Sequence, residues 1–517
     1  MRVVCVSDKK GTAIDRLARG VEKYHGNIEY FVCDVHPKRP DPKQLKAFEE
    51  AAKTADIIDW QYFRTAEMLR AKYDWLKEKK HILTHNNPYS IHEQDWNGYD
   101  MVVANNKTMF QDLSKITQSP LEYIPLVADT DYWSFNQEWK PNKTVIMVVN
   151  RIESKKGVLE VAIACGELGY KFILVGNVSD RGYMDAVMQT GSVEFHENIT
   201  DEQLRDLYHQ SSLHVCNSVD NFESGTLPIL ESMLCGVPVL TRLVGHVPEL
   251  NNGENMVIND QTNDDVLHLV ELMRKTVEDT DKLKQLREKG WQTAKNRNFQ
   301  RRAYNYQQKY RQLLYSNERP VTVIMPVYDD IKPEVFKAIT SQTYQNIEII
   351  LVNDNPYKKP QQLPHTNKML RAINTARIED DYGLARARNE AAIQATGEIL
   401  VFCDQRMKMQ KHCVEEFVKN LKPKTWLYGN KGVKKDFIEN LSCINRQDFI
   451  NFGMFNERMD CYGGLSQETR ARARLQGLNL EYVEKAEAIP TGKSSNRNRK
   501  RYQIIRSKNR LWQMNLE

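Results

Sequence analysis

N-F-E-S-G-T-L-P-I-L-E-S-M-L-C-G-V-P-V-L, Asn221–Leu240, is the stretch from which the rest of the chain can be read. Gly225 frees the backbone ahead of a helix that Thr226 can cap, and Pro228 suits its first turn, where a missing N–H costs nothing. Gly236 ends that helix, and Val237–Leu240 is the next strand. Unpaired N–H groups from Ser224 through Gly225 and Thr226 to Leu227 then point out of a helix N-terminus, a ready site for phosphate or sugar oxygens. Glu223 precedes the terminus and Glu231 lies on the helix eight positions later. One carboxylate can accept hydrogen bonds from a sugar and the other from ribose hydroxyls. Taken alone, the same pattern also describes a helix start with two surface acids.

Outward from this stretch, short apolar runs alternate with polar helical segments. Arg2–Val6, Ile28–Cys33, Ile57–Trp60, His81–Thr84 and Met101–Ala104 are of strand length, with amphipathic stretches such as Ile14–Tyr24 and Gln44–Lys53 between them. The rhythm restarts at Thr144–Asn150 and continues through Lys171–Val175, Leu213–Asn217 and Val237–Thr241. Such alternation predicts α/β lobes with parallel sheets covered on both faces. Tyr132–Pro141, bearing Pro and Trp, reads as the linker between two lobes. A charged helical region then leads to a third α/β unit opening at Arg319-Pro320, with strands Val321–Met325, Ile347–Val352 and Ile399–Phe402. The expected divisions are 1–138, 139–315, 319–492 and a basic tail, 493–517.

Length and composition agree with this division. At about 150 residues per domain, 517 residues make three domains. A content of 41% hydrophobic and 27% charged residues is that of a soluble globular protein and excludes collagen, coiled coil and disordered chains. The longest apolar runs, such as Val145–Val149, fall far short of the roughly 18 residues of a membrane span, and Met1–Val6 lacks the features of a signal peptide. Nine scattered cysteines without a C-x-x-C pair read as free thiols in a reducing cytoplasm, and the histidines show no ligand spacing, so no structural metal is expected. Residues 1–318 hold 40 basic and 45 acidic side chains, a balance of −5, whereas 319–517 hold 33 and 23, a balance of +10. Lys493–Arg510 carries eight Lys/Arg and no acid. It reads either as a solvated tail or as a contact for nucleic acid or an anionic membrane surface, with Tyr502 and Trp512 as anchors.

Glu-x7-Glu followed by C-G-V-P-V resembles the donor site of glycosyltransferase family 4, which has the two-lobed GT-B fold and retains anomeric configuration. V-V-N-R-I-E-S-K-K-G-V-L-E, Val148–Glu160, resembles the family's diphosphate clamp and implies that role for Arg151 and Lys156, two cations that offset a leaving diphosphate without a metal. Y-I-P-L-V-A-D-T-D-Y-W, Tyr123–Trp133, resembles the crossing between lobes. I-L-T-H-N-N-P-Y, Ile82–Tyr89, puts His85 where the family keeps a histidine facing the donor sugar. The first loop, Ser7–Thr12, brings Gly11 to the donor, one glycine where the family shows a pair. The resemblance implies Glu223 and His85 at the sugar, Glu231 at the ribose, and a UDP- or GDP-sugar as donor.

V-T-V-I-M-P-V-Y, Val321–Tyr328, and Ala338–Asn355 resemble the opening of glycosyltransferase family 2, which has the GT-A fold and inverts configuration. In that family a carboxylate at the end of the second strand holds nucleobase or ribose, which implies Asp354 here. Tyr382–Asp404 resembles the next block, with Arg388-Asn389. The family's D-x-D metal site falls on Asp404-Gln405-Arg406, so the second carboxylate is an arginine. A divalent cation wants oxygen ligands and is repelled by an adjacent guanidinium, which argues against Mg or Mn at Asp404 and lets Arg406 neutralise phosphates instead. G-G-L-S-Q-E-T-R-A-R-A-R-L, Gly463–Leu475, resembles the catalytic-base segment, with Glu468 where an Asp is usual. This third unit is then a metal-independent transferase or an inactive domain that binds sugar or acceptor.

The expectation is a cytoplasmic glycosyltransferase, peripheral at the inner membrane face. Its acceptor would be a surface glycan or lipid-linked precursor, and the third unit an accessory or second transferase. A transferase acting on modified bases of DNA, and a non-catalytic sugar-binding or scaffold protein, are the alternatives.

Overall fold

The computed structural model describes residues 1–25, 28–86, 91–92, 94–219, 223, 225–260, 265–355, 368–375, 383–432, 437–458 and 464–492. The chain forms two compact units, one spanning Met1–His25 and Glu29–Tyr310 and the other beginning at Arg311.

The first unit has two lobes. Lobe 1 is built on β1 (Arg2–Ser7), β2 (Glu29–Asp34), β3 (Ile57–Trp60), β4 (Lys80–His85), β5 (Met101–Ala104) and β6 (Leu121–Tyr123). All pair in parallel, in the order β2-β1-β3-β4-β5-β6. Lobe 2 repeats the scheme with β7 (Thr144–Val148), β8 (Lys171–Val175), β9 (Val193–His196), β10 (Leu213–Cys216), β11 (Val239–Thr241) and β12 (Val257–Ile258), in the order β12-β11-β10-β7-β8-β9. The central strands are buried on both faces, which is why they read as continuous apolar runs rather than alternating ones. The apolar-run reading missed β6, β9 and β12, which lie at or beside sheet edges and are only partly buried.

Tyr132–Pro141 is no loose tether. Trp133 is buried in the core of lobe 2 against Tyr208, and the Trp139 indole N–H donates to the Ser211 carbonyl at 3.0 Å. Burying one such aromatic contributes about 1.5–3 kcal/mol. The helix Phe299–Leu314 returns to lobe 1. Buried Arg302 donates to the carbonyls of Ile124 and Pro125, the Tyr306 hydroxyl bonds Thr84 Oγ1 at 2.7 Å, and the Tyr310 hydroxyl donates to Asp59 at 2.6 Å.

The second unit, in its described residues, is built on a mixed eight-stranded sheet with helices packed on it. It comprises β13 (Val321–Val327), β14 (Ile347–Asn353), β15 (Met369–Asn374), β16 (Ile399–Cys403), β17 (Met407–Met409), β18 (Thr425–Asn430), β19 (Leu441–Asn445) and β20 (Asn479–Pro490). The order is β15-β14-β13-β16-β19-β18-β20-β17. β13–β16 pair in parallel, and β19 turns antiparallel to β16. In a parallel sheet, side chains at the carboxyl ends of strands line the ligand crevice, and most of the candidate residues of both units fall there.

Candidate functional site

Two strand ends of lobe 2, those of β7 and β10, converge on one carboxylate. After β7 the chain runs past Arg151 into a single 3-10 turn, Ser154–Lys156, and Gly157 opens the next helix at φ +64°. That left-handed geometry favours glycine, and a Cβ there would also lie 2.6 Å from the Asn217 carbonyl. Lys156 is thereby turned inward and forms an ion pair with Glu223; their side chains are 4% and 14% exposed. Ser218, just past β10, donates its hydroxyl to the same Glu223 oxygen at 2.9 Å. Asn217 ties the neighbouring strand ends together, accepting from Arg242 Nε at 2.9 Å and donating to the Gly157 carbonyl at 3.3 Å. Arg151 stands apart from this pair, largely exposed, with Glu153 3.7 Å away.

The helix anticipated after Glu223 runs Leu227–Leu234 with Pro228 in its first turn, and Gly236 follows it at φ +76°. Two details differ from the expectation. Thr226 occupies the capping position, yet its hydroxyl makes no cap bond and is buried without a hydrogen-bond partner. Gly225 is needed for close approach rather than backbone freedom: a Cβ would run into Leu126 and sit 2.7 Å from His246 Nδ1. Ser224 lies outside the described residues.

Leu227 and Glu231 face a cavity of about 590 Å3 between the lobes, shared with Arg16 and Leu17 of lobe 1, with Tyr132 of the crossing and with Asp201 of lobe 2. Arg16 reaches Asp201 across this gap at 2.9 Å. Burial raises the Glu231 pKa to about 7 against the lowering influence of Arg16, and the Tyr208 hydroxyl donates to Glu231 Oε2 at 3.5 Å. The group is therefore a carboxyl poised near neutrality, able to donate as well as accept.

On lobe 1, Gly11 adopts φ +84° and spends its N–H on Asp15 Oδ2 at 2.9 Å, which anchors the first loop to buried Asp15. His85 ends β4 as a buried imidazole edge-on to Trp96, ring centroids 4.6 Å apart, with Nε2 unpartnered. Burial pushes its pKa down to about 3, so the ring is neutral.

In the second unit Asp354 follows β14, donates its amide to the Val327 carbonyl at 2.8 Å and packs against Gly383, where a Cβ would lie 2.5 Å from Oδ1. Asp404 follows β16, and the Arg406 guanidinium folds back onto it, Nη2 to Oδ2 3.4 Å, with the Arg406 amide donating to Oδ1 at 3.1 Å. Asp404 thus carries a cation of the protein's own two residues away, a donor set that does not fit a divalent metal. Among the described residues no cluster of three His, Cys, Asp or Glu side chains could hold one. Glu468 is fully buried, both its oxygens taken by Arg472 at 2.8 and 3.3 Å.

Residues 129–293 match the family model of glycosyl transferases group 1, and residues 322–428 match that of glycosyl transferase family 2. The chain carries two glycosyltransferase modules. Sucrose-phosphate synthase from Thermosynechococcus elongatus has a similar fold at 16% identity and TM-score 0.50, the match covering 61% of this chain and all of that one. HepE from Anabaena, solved with UDP and glucose, is likewise 16% identical at TM-score 0.50, over 60% of this chain and 99% of that one. Likenesses at this identity concern the fold alone. No curated protein matches the chain.

The group 1 module brings Lys156 directly onto Glu223 and sets Glu231 and Leu227 on the interlobe cavity, whereas among the described residues Arg151 lies against Glu153 and His85 against Trp96. The sequence reading passed over Ser218, Asn217, Arg242, Asp201 and His246. Asn217 and Arg242 did leave a signal, as polar residues directly after the strands Leu213–Cys216 and Val239–Thr241.

Proposed function

We propose that the group 1 module transfers a sugar from a nucleotide-sugar donor, a UDP- or GDP-sugar, to an acceptor with retention of configuration. The observation that carries this reading is the buried Lys156–Glu223 pair beside the head of the helix Leu227–Leu234. A donor diphosphate entering there takes over Lys156, with Arg151 approaching from solvent, and releases Glu223 to accept from the sugar hydroxyls. Glu231, on the cavity wall, meets the vicinal ribose hydroxyls. Ser224, Gly225, Thr226 and Leu227 offer backbone N–H groups to the diphosphate, and neutral His85 orients the sugar from lobe 1. As the bond between the anomeric carbon and the phosphate oxygen breaks, its electron pair goes to the diphosphate. Lys156, Arg151 and the helix dipole stabilise the charge. The acceptor oxygen bonds the anomeric carbon on the same face, and a leaving-group phosphate oxygen takes its proton.

Residues 1–138 then serve as the acceptor-side lobe and 139–315 as the donor-side lobe. Residues 319–492 are an accessory domain or second transferase in which Asp354, Asp404 and Arg406 are the candidate sugar-nucleotide contacts, whereas Glu468, buried against Arg472, is withdrawn from that role. The acceptor is a surface glycan or lipid-linked precursor, with the 493–517 tail holding the protein at an anionic surface. Among the described residues no helix is long and apolar enough to cross a membrane.

The test is transfer from UDP-, GDP- and ADP-sugars in EDTA and in manganese. It compares wild type with Glu223→Ala and Asp404→Ala and offers glycan, lipid and base-modified DNA acceptors in parallel. Turnover lost only in Glu223→Ala and indifferent to EDTA supports the reading. Turnover that survives Glu223→Ala and is lost in Asp404→Ala moves the activity to the family 2 module.

A further inference from the structure

Glu249 lies in the short helix Val247–Leu250, between β11 and β12 of lobe 2. Its side chain is only 3% exposed, and its partners among the described residues come from outside that lobe's sheet. Oε1 accepts from the Tyr123 hydroxyl at 2.7 Å and from Arg297 Nη1 at 3.3 Å, and Oε2 accepts from the Lys107 amide at 2.9 Å. Tyr123 ends β6 and Lys107 opens the helix Lys107–Leu113, both in lobe 1. Arg297 sits on the return segment, where its carbonyl accepts from the Ala128 amide of the crossing at 3.0 Å.

One turn earlier in the same piece of chain is His246, whose carbonyl accepts from the Glu249 and Leu250 amides at 3.2 Å. Its buried ring stands against Gly225, with Leu126 of the crossing close to the same point, which leaves no room for a side chain there. A single turn of backbone therefore grips lobe 1 through Glu249 and abuts the head of the helix Leu227–Leu234 through His246. A buried carboxylate needs several donors to offset its desolvation. The three that satisfy Glu249 are together only while the lobes stand as they do here.

We propose that Glu249 is a positioning residue for sugar transfer, holding the head of the donor helix in register with lobe 1 through His246 and Gly225 without touching substrate. This rests on the donor-site reading above. Misregister of about 1 Å between reacting groups can cost roughly 100-fold in rate while leaving binding to one lobe intact.

The experiment uses the full chain with Glu249→Gln, which keeps the shape but loses the charge, and Tyr123→Phe, which removes one hydroxyl. With whichever of UDP-, GDP- and ADP-glucose wild type binds, Glu249→Gln is expected to lower kcat about 10- to 100-fold. Calorimetric stoichiometry should hold, and donor Kd should change less than about threefold. Tyr123→Phe should move kcat less, in the same direction, and the double variant should be non-additive. Amide exchange in Glu249→Gln should rise together in Lys107–Leu113 and Leu227–Leu234. Unchanged kcat, a loss confined to donor Kd, or faster exchange in one helix alone overturns the proposal. If wild type binds and turns over no nucleotide sugar, the donor reading fails, and the exchange measurement still decides whether Glu249 couples the two helices.

Discussion

Two ion pairs separate the modules. Lys156 and Glu223 are 67 residues apart in sequence, brought together by the ends of β7 and β10, and nearly buried. Asp404 and Arg406 are two residues apart on one turn, with side chains 19% and 35% exposed. A long-range buried pair exists only because the fold assembles it, and opening it is costly unless a ligand supplies a replacement charge. On the function proposed above, a diphosphate does so for Lys156. A local, half-exposed pair needs no fold to form and gains little from forming. On that reading the first arrangement exchanges partners with a donor; the second pairs a carboxylate with a cation of its own turn.

The strongest way to break this contrast is Glu223→Ala. Losing a charge-positioning contact made in the transition state should cost transfer about 100- to 1,000-fold, read as kcat under saturating donor. Activity within a few-fold of wild type would remove Glu223 from the donor site.

Next in size is the pH dependence of stability. The Glu231 pKa is raised from its ordinary value to about 7, so between about pH 4.5 and 7 the folded state holds more protons than the unfolded one. Stability contributed at this position is then fully present below about pH 4.5, falls as pH rises towards 7 and levels off above. The total is on the order of 3 kcal/mol. Denaturant midpoints of wild type and Glu231→Gln over that range should converge at low pH and separate at high pH, with the variant the more stable. Parallel curves would show the carboxyl to be solvated.

Gly225→Ala should destabilise the group 1 module by about 1–3 kcal/mol, because the new methyl must displace Leu126 or the His246 ring. Thermal unfolding reads this, and no shift would mean that the head of the helix yields freely. The smallest effect belongs to Asp404→Ala, expected to change stability by less than about 1 kcal/mol and donor turnover by less than about twofold. A larger loss of turnover would make the second module part of the catalyst.

Much of the architecture was legible because parallel strands buried on both faces need uninterrupted apolar runs. Arg2–Val6, Ile57–Trp60 and Leu213–Asn217 could be located before any contact was known, within a residue of the strands observed. The helix between Gly225 and Gly236 was legible for a similarly local reason: Pro tolerates its first turn and Gly the left-handed residue after its end. The edge strands β6, β9 and β12 escaped notice, since half-buried positions accept polar residues. Thr226 was misread because capping depends on where the hydroxyl can turn, and here it is buried without a hydrogen-bond partner.

The sequence by itself determined two Rossmann-like lobes, a third α/β unit, the order of the two modules and the spacing that puts Glu223 before the helix and Glu231 on it. These follow from hydrophobic periodicity and turn chemistry, which act over a few residues. Only the tertiary structure decided that Lys156 meets Glu223, that Arg406 turns back on Asp404 and that Glu468 is sealed by Arg472. It likewise decided that Glu249 joins two lobes and that Gly225 is glycine for want of space. Side-chain pairing and close packing are set by distances between segments remote in the chain, and no local pattern encodes those distances.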